Sequence, residues 1–94
     1  MSLKYKIFET KRFSTDLTLL ARQRKGQIEK KLLEYVYPQL KTEPHFGTNI
    51  KKLRDWDPPT WRYRVADWRF FYGIDEAEKV VFMLAASHRK EAYR

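Results

Sequence analysis

The chain of 94 residues carries 20 basic and 12 acidic side chains, a formal net charge of +8, is 43% hydrophobic and 16% aromatic, and has no cysteine. That length suits a single domain over residues 1–94 with one modest core. The apolar content excludes a disordered chain, and the missing cysteines exclude disulfides, thiol chemistry and cysteine-based metal sites. No run resembles a signal peptide or is long enough to span a membrane, so a cytoplasmic protein is expected.

Residues 3–9, "LKYKIFE", alternate Leu3, Tyr5 and Ile7 with Lys4, Lys6 and Phe8, which predicts a first strand with one face on the core. Phe13, Leu17 and Leu20 then recur at helical spacing, with Thr10 or Ser14 available as caps, and Gly26 is expected to break this first helix. Ile28, Leu32, Tyr35 or Val36, and Leu40 form the stripe of a second helix, which Pro38 should kink or end. The two helices read as a hairpin packed on a sheet.

Residues 41–60, "KTEPHFGTNIKKLRDWDPPT", hold three prolines and a glycine without a steady period, and predict a long surface loop with at most a short turn of structure near Ile50–Leu53. From Trp61 the pattern is β. "WRYRV" and "WRFFYGI" flank a two-residue turn at Ala66-Asp67, "DEAE" makes a second turn, and "KVVFMLAAS" is apolar throughout, as a covered central strand would be. The end, "HRKEAYR", is expected to leave the sheet as a short helix or extended tail. The class is therefore α+β: an N-terminal strand, a two-helix hairpin and an antiparallel three-stranded meander, with the helices on one face.

The basic excess is uneven. Residues 1–25 hold seven Lys/Arg against two acids, and residues 41–54, which include Lys51, Lys52 and Arg54, hold four against one. Such patches suit polyanions or an acidic partner; the plain alternative is solubility.

With Ala66-Asp67 as the loop, Val65 faces Trp68, Arg64 faces Arg69 and Arg62 faces Phe71. Trp61, Tyr63, Val65, Trp68, Phe70, Tyr72 and Ile74 then form an apolar face, and Arg62, Arg64, Arg69 and Phe71 the opposite one. Like charges opposed across a strand pair are destabilising. Either the arginines lie along the sheet as solvated or acid-paired side chains, or they form an anion-binding face on which Phe71 stacks a base. The last strand has no alternation to fix its register. A three-residue loop brings Val81, Met83, Ala85, Ser87 and Arg89 to the arginine face; a two-residue loop brings His88 instead.

"NIKKLR", "WRYRVADWRFFYGID" (Trp61 to Asp75) and "HRKEAYR" (His88 to Arg94), in this order of elements, resemble the RelE/ParE toxin superfamily over nearly the whole chain. The resemblance implies a toxin of a toxin–antitoxin pair. In its RelE branch that means a ribosome-dependent endoribonuclease cleaving mRNA in the A site by 2′-hydroxyl attack; the ParE branch poisons DNA gyrase and lacks the nuclease residues. The nuclease branch's basic pair matches Arg62 and Arg64, the arginine after the turn Arg69, the arginine after the last strand Arg89, and the C-terminal tyrosine Tyr93. Arginines stand here in place of RelE's lysines, Tyr93 follows Arg89 more closely, and His88 directly precedes Arg89.

Cleavage of this kind needs a base for the 2′-hydroxyl proton, cations for the charge on phosphorus, and an acid for the leaving 5′-oxygen. Arginines bind phosphate oxygens with paired donors but stay charged, so they do not move protons near neutrality. His88 is the natural proton carrier, with Tyr93 the alternative if neighbouring arginines favour its ionised form. His45 reads as a loop residue. His45 and His88 are not at metal-ligand spacing and the carboxylates are scattered, so neither metal nor cofactor is expected. Phe71, Lys51, Lys52 and Arg54 are the expected RNA contacts. The implied partners are a cognate acidic antitoxin that wraps the toxin, the ribosome and its mRNA, and operator DNA for the toxin–antitoxin complex. A plain basic nucleic-acid-binding domain is the alternative that involves no toxin.

Overall fold

The computed structural model describes residues 4–24 and 27–88; the expected break at Gly26, the C-terminal tail, Arg89 and Tyr93 lie outside them. Strand β1 (Lys6–Glu9) leads into α1 (Lys11–Arg24). After it come α2 (Gln27–Lys31), a π-helical segment (Leu32–Val36) and α3 (Tyr37–Thr42), continuous from one to the next. Strands β2 (Ile50–Lys52), β3 (Trp61–Val65), β4 (Trp68–Asp75) and β5 (Val80–His88) complete one sheet of order β1-β5-β4-β3-β2. β1 runs parallel to β5 and the remaining neighbours are antiparallel.

The class is as expected, with one strand more. Ile50–Lys52, read as loop, pairs with β3 and extends the meander to four strands. Three residues carry too little periodicity to register as a strand. Its two lysines also suit an edge, where charge discourages pairing with other chains.

Thr10 makes the switch from strand to helix. Its hydroxyl donates to the Met83 carbonyl (2.7 Å) and accepts from the Phe13 amide (3.3 Å), so it caps α1 and fixes it to β5 at once. Asp16 adds a second tie by accepting the Ala86 amide at 3.0 Å. Pro38 does not end the helical run. Just ahead of it the chain widens into the π segment, where the Tyr37 amide donates to the Leu32 carbonyl, and the proline sits in the first turn of α3. That position needs no donor, and the wider turn relieves the clash a proline ring makes with the carbonyl four residues back.

All the helices lie on one face. Phe13, Ile28, Val36 and Leu40 are fully buried there against Phe70, Tyr72, Val81 and Met83 of the sheet. Tyr72 donates its hydroxyl to the Pro44 carbonyl at 2.6 Å, and burial pushes its ionisation far up, so it stays a neutral donor.

His45 has more to do than the loop reading allowed. Its Nδ1 lies 3.0 Å from Glu43 Oε2 and its Nε2 2.6 Å from Glu76 Oε1, so it bridges the end of α3 to the β4–β5 turn. Tyr5 donates to the same Glu76 at 3.1 Å. The backbone amide of His45 holds Glu43 below the usual carboxylate range. Desolvation opposes ionisation of Glu76, but hydrogen bonds from Tyr5, His45 and Lys79 hold it down as well. Both carboxyls are depressed in the folded state. Their stabilisation is therefore present above the ordinary value of 4.5 and is lost as pH falls through the lowered folded values. The thermal midpoint is expected to drop between pH 5 and 3, by less in Glu76→Gln; identical acid profiles would show that the bridge contributes nothing. Both side chains are substantially exposed, so salt should flatten the effect.

Candidate nucleic-acid interface

The β3–β4 hairpin has the register its sequence demands: Val65 pairs with Trp68, Arg64 with Arg69, and Arg62 with Phe71. Ala66, at φ 52°, supplies the left-handed residue of the two-residue turn. Tyr63, Trp68, Phe70 and Tyr72 are buried on the helix side, while Arg62, Arg64, Arg69 and Phe71 take the opposite face.

Directly opposed residues in neighbouring strands share a face, so the pairings continue as cross-strand rows. One row runs Arg64, Arg69, Ser87; the other runs Lys51, Arg62, Phe71, Ala85. Within a row neighbours lie about 5 Å apart, and the two rows are separated by about 7 Å along the strands. Four cations thus occupy one patch. Among the described residues no carboxylate pairs with Arg62 or Arg64. The Nε of Arg62 is buried without a hydrogen-bond partner there. Such an N–H is costly to leave unmet, and an anionic oxygen would satisfy it. A groove of about 470 Å³, lined by Thr48, Asn49, Lys51, Arg62 and Arg64, opens beside it.

A β-bulge between Phe71 and Tyr72 decides how the last strand is oriented. Tyr72 pairs with Met83 but Phe71 pairs with Ala85, so Leu84 is the extra residue and the alternation of β5 changes phase there. Val81 and Met83, which one of the two loop readings put beside the arginines, are core residues. Beyond the bulge, Ala85 and Ser87 take the arginine face while Ala86 and His88 take the core.

His88 therefore does not join the arginines. It pairs with Trp68, is 8% exposed, and sets its ring edge-on to that indole at a centroid distance of 4.8 Å. The sheet separates it from Arg69. For His88 to reach a phosphate on the arginine face, the end of β5 would have to leave the sheet.

The expected RNA contacts divide in the same way. Lys51 lies opposite Arg62 and belongs to the patch. Lys52 turns the other way, with its ammonium 5.6 Å from the Trp61 ring, and Arg54 is exposed in the turn after β2. Phe71 lies in the patch but not alone. The ring of Trp56 stacks on it at 12° with centroids 6.5 Å apart. The sequence reading missed Trp56; its only signal was a lone tryptophan in a proline-rich loop.

Opposed guanidiniums at Arg64 and Arg69 oppose folding. Arg64→Thr, a residue suited to strands, is expected to raise the urea unfolding free energy by about 0.5 kcal/mol at low salt. The gain should shrink with added salt. An unchanged or lowered stability would show that the pair is not under electrostatic strain.

No protein-family model matches the chain, and no curated protein sequence does. Solved structures do. The toxin–antitoxin complex RelBE2 from Mycobacterium tuberculosis contains a chain 26% identical, with a TM-score of 0.72 over 93% of this chain and 100% of that one. The isolated E. coli RelE toxin is 25% identical, with a TM-score of 0.63 over 95% and 90%. YafQ from E. coli is 19% identical, with a TM-score of 0.68 over 96% and 99%, and shows the likeness of fold alone.

Proposed function

We propose, from a chain whose fold is that of the RelE-like toxin superfamily, that the protein is the toxin of a toxin–antitoxin pair and a metal-independent endoribonuclease acting on ribosome-bound mRNA. The observation that carries this reading is the cationic patch. Arg62, Arg64, Arg69 and Lys51 share one sheet face, and Arg62 and Arg64 have no pairing carboxylate among the described residues. A sheet that needed only stability would not oppose two arginines.

In this reading the patch holds the scissile phosphate. The 2′-oxygen of the preceding ribose attacks phosphorus, the P–O5′ bond breaks, and a 2′,3′-cyclic phosphate and a 5′-hydroxyl result. The 2′ proton passes to a base and the leaving 5′-oxygen takes a proton from an acid. Arg69, with Arg64 beside it, stabilises the charge on the nonbridging oxygens, and Arg62 and Lys51 anchor the neighbouring phosphate. Arg89 and Tyr93, matched to the superfamily's nuclease residues, complete the site as a further cation and a proton carrier; His88 is the other candidate carrier. Arg54 and Lys52 contact RNA outside the patch.

The partners that follow are an acidic antitoxin covering the patch, the ribosome and mRNA, with operator DNA bound by the toxin–antitoxin complex. The setting is cytoplasmic, where ribosomes work. No helix among the described residues is long and apolar enough to cross a membrane.

Primer extension on one mRNA in a translating extract tests the reading. Cuts in register with codons, appearing only when ribosomes are present, are expected. Intact mRNA with continued translation would overturn it and direct the next assay to gyrase cleavage complexes.

A further inference from the structure

The long loop after β2 has no assigned role, yet it is built with care. The Leu53 amide donates to the Thr60 carbonyl at 2.9 Å and closes its base. Thr60 is 4% exposed and donates its hydroxyl to the Pro58 carbonyl at 3.1 Å. A loop closed this way holds its tip in place, and near the tip is Trp56, 54% exposed although its ring lies near-parallel to Phe71. Beyond the pair, Pro58, Pro59, Gly73, Phe82 and Leu84 line a mostly apolar groove of about 570 Å³, whose wall also includes Asp75 and Glu76. Gly73 brings no side chain into that space; a β-carbon there would stand 3.8 Å from Leu84 and 3.9 Å from the Pro59 carbonyl.

Phe71 belongs to the Lys51–Arg62 row, so the aromatic pair begins where the cations end. A cationic strip that runs into a flat exposed ring matches the two halves of an unpaired nucleotide: a phosphate and a base with two π-faces. We infer that Trp56, seated on Phe71, is a stacking platform for one unpaired base of the RNA strand whose phosphates lie on the arginine rows. The inference rests on the RNA reading of that face. If Trp56 served only to cover Phe71, any apolar side chain of similar size would do.

The test is binding of a fluorescent 2′-O-methyl oligonucleotide, which cannot be cleaved by 2′ attack, alongside inorganic polyphosphate as an anion without bases. Trp56→Ala is expected to weaken oligonucleotide binding by about 5- to 100-fold. It should leave polyphosphate binding and the slope of log Kd against log salt unchanged. Trp56→Phe should retain most of the affinity and Trp56→Leu should not. Arg62→Ala should weaken both probes and lower the salt slope by about 0.7, the signature of one lost phosphate contact. Urea midpoints identify any variant whose fold has failed; if Trp56→Ala fails, the comparison of Trp56→Phe with Trp56→Leu decides. Unchanged oligonucleotide affinity in Trp56→Ala, an equal loss on polyphosphate, or equal behaviour of the Phe and Leu variants overturns the platform alone, provided Arg62→Ala still weakens binding. Failure of the wild-type protein to bind the oligonucleotide overturns the RNA reading, and the platform with it.

Discussion

Replacing Arg69 by alanine is expected to reduce single-turnover cleavage of ribosome-bound mRNA by about 100- to 1000-fold while the protein stays folded. The magnitude is that of removing one preorganised donor from the charge that develops in a transition state. Arg64 and Arg69 stand directly opposed across β3 and β4; in the proposed site both guanidiniums would reach a single phosphate, so deleting one would leave the other to bind but not to complete the cradle. Arg62→Ala is expected to cost less, about tenfold, and mainly in affinity. Its cross-strand neighbours are Phe71 and Lys51, so it belongs to the row that would anchor the RNA strand in the proposed site. The two variants should thus separate, one in the rate of the bound complex and the other in the concentration needed to form it. Full cleavage by soluble, folded Arg69→Ala would remove the nuclease model, whatever the other substitutions do.

What could be read from the sequence was whatever alternates around a fixed turn. "WRYRVADWRFFY" specified its own register, because a slip by one residue would bury three arginines and expose Trp68, Phe70 and Tyr72. The helix stripe was legible for the same reason: Ile28, Leu32, Val36 and Leu40 recur every four residues and are all buried. β5 was not legible, since an apolar run covered on both faces has no alternation to lose, and the bulge at Leu84 changes its phase without a glycine or proline to mark it. One loop length put Ser87 with the arginines and the other put His88 there. The structure keeps Ser87, and it does so through the bulge rather than through either loop. Trp56 and His45 were hidden for a different reason. Both act through partners distant in sequence, Phe71 in one case and Glu76 in the other, and no local period predicts such contacts.

That phase change bears directly on the chemistry, since it puts His88, one of the two groups expected to move protons, on the opposite face from Arg69. His88→Gln is expected to leave cleavage within a few-fold of wild type and to lower stability by about 1 kcal/mol, the size of effect usual for altering a well-packed site. Tyr93→Phe is expected to cost about 100- to 10,000-fold in single-turnover rate with the thermal midpoint unchanged. Geometry decides the first and electrostatics the second. The ring of His88 is held edge-on to Trp68 on the helix side, with the sheet between it and Arg69. A proton carrier must come within hydrogen-bond reach of the atom it serves. A phenol placed among arginines has its ionised form favoured by every nearby cation, which is how a tyrosine can act as a base near neutrality. The pH dependence of the rate provides an independent reading. With His88 as carrier, the wild-type profile would carry a bend that vanishes in His88→Gln. With Tyr93, the profiles of wild type and His88→Gln should have the same shape. Loss of cleavage in a stable His88→Gln would mean that the end of β5 leaves the sheet on the ribosome and turns the imidazole across to the arginine face.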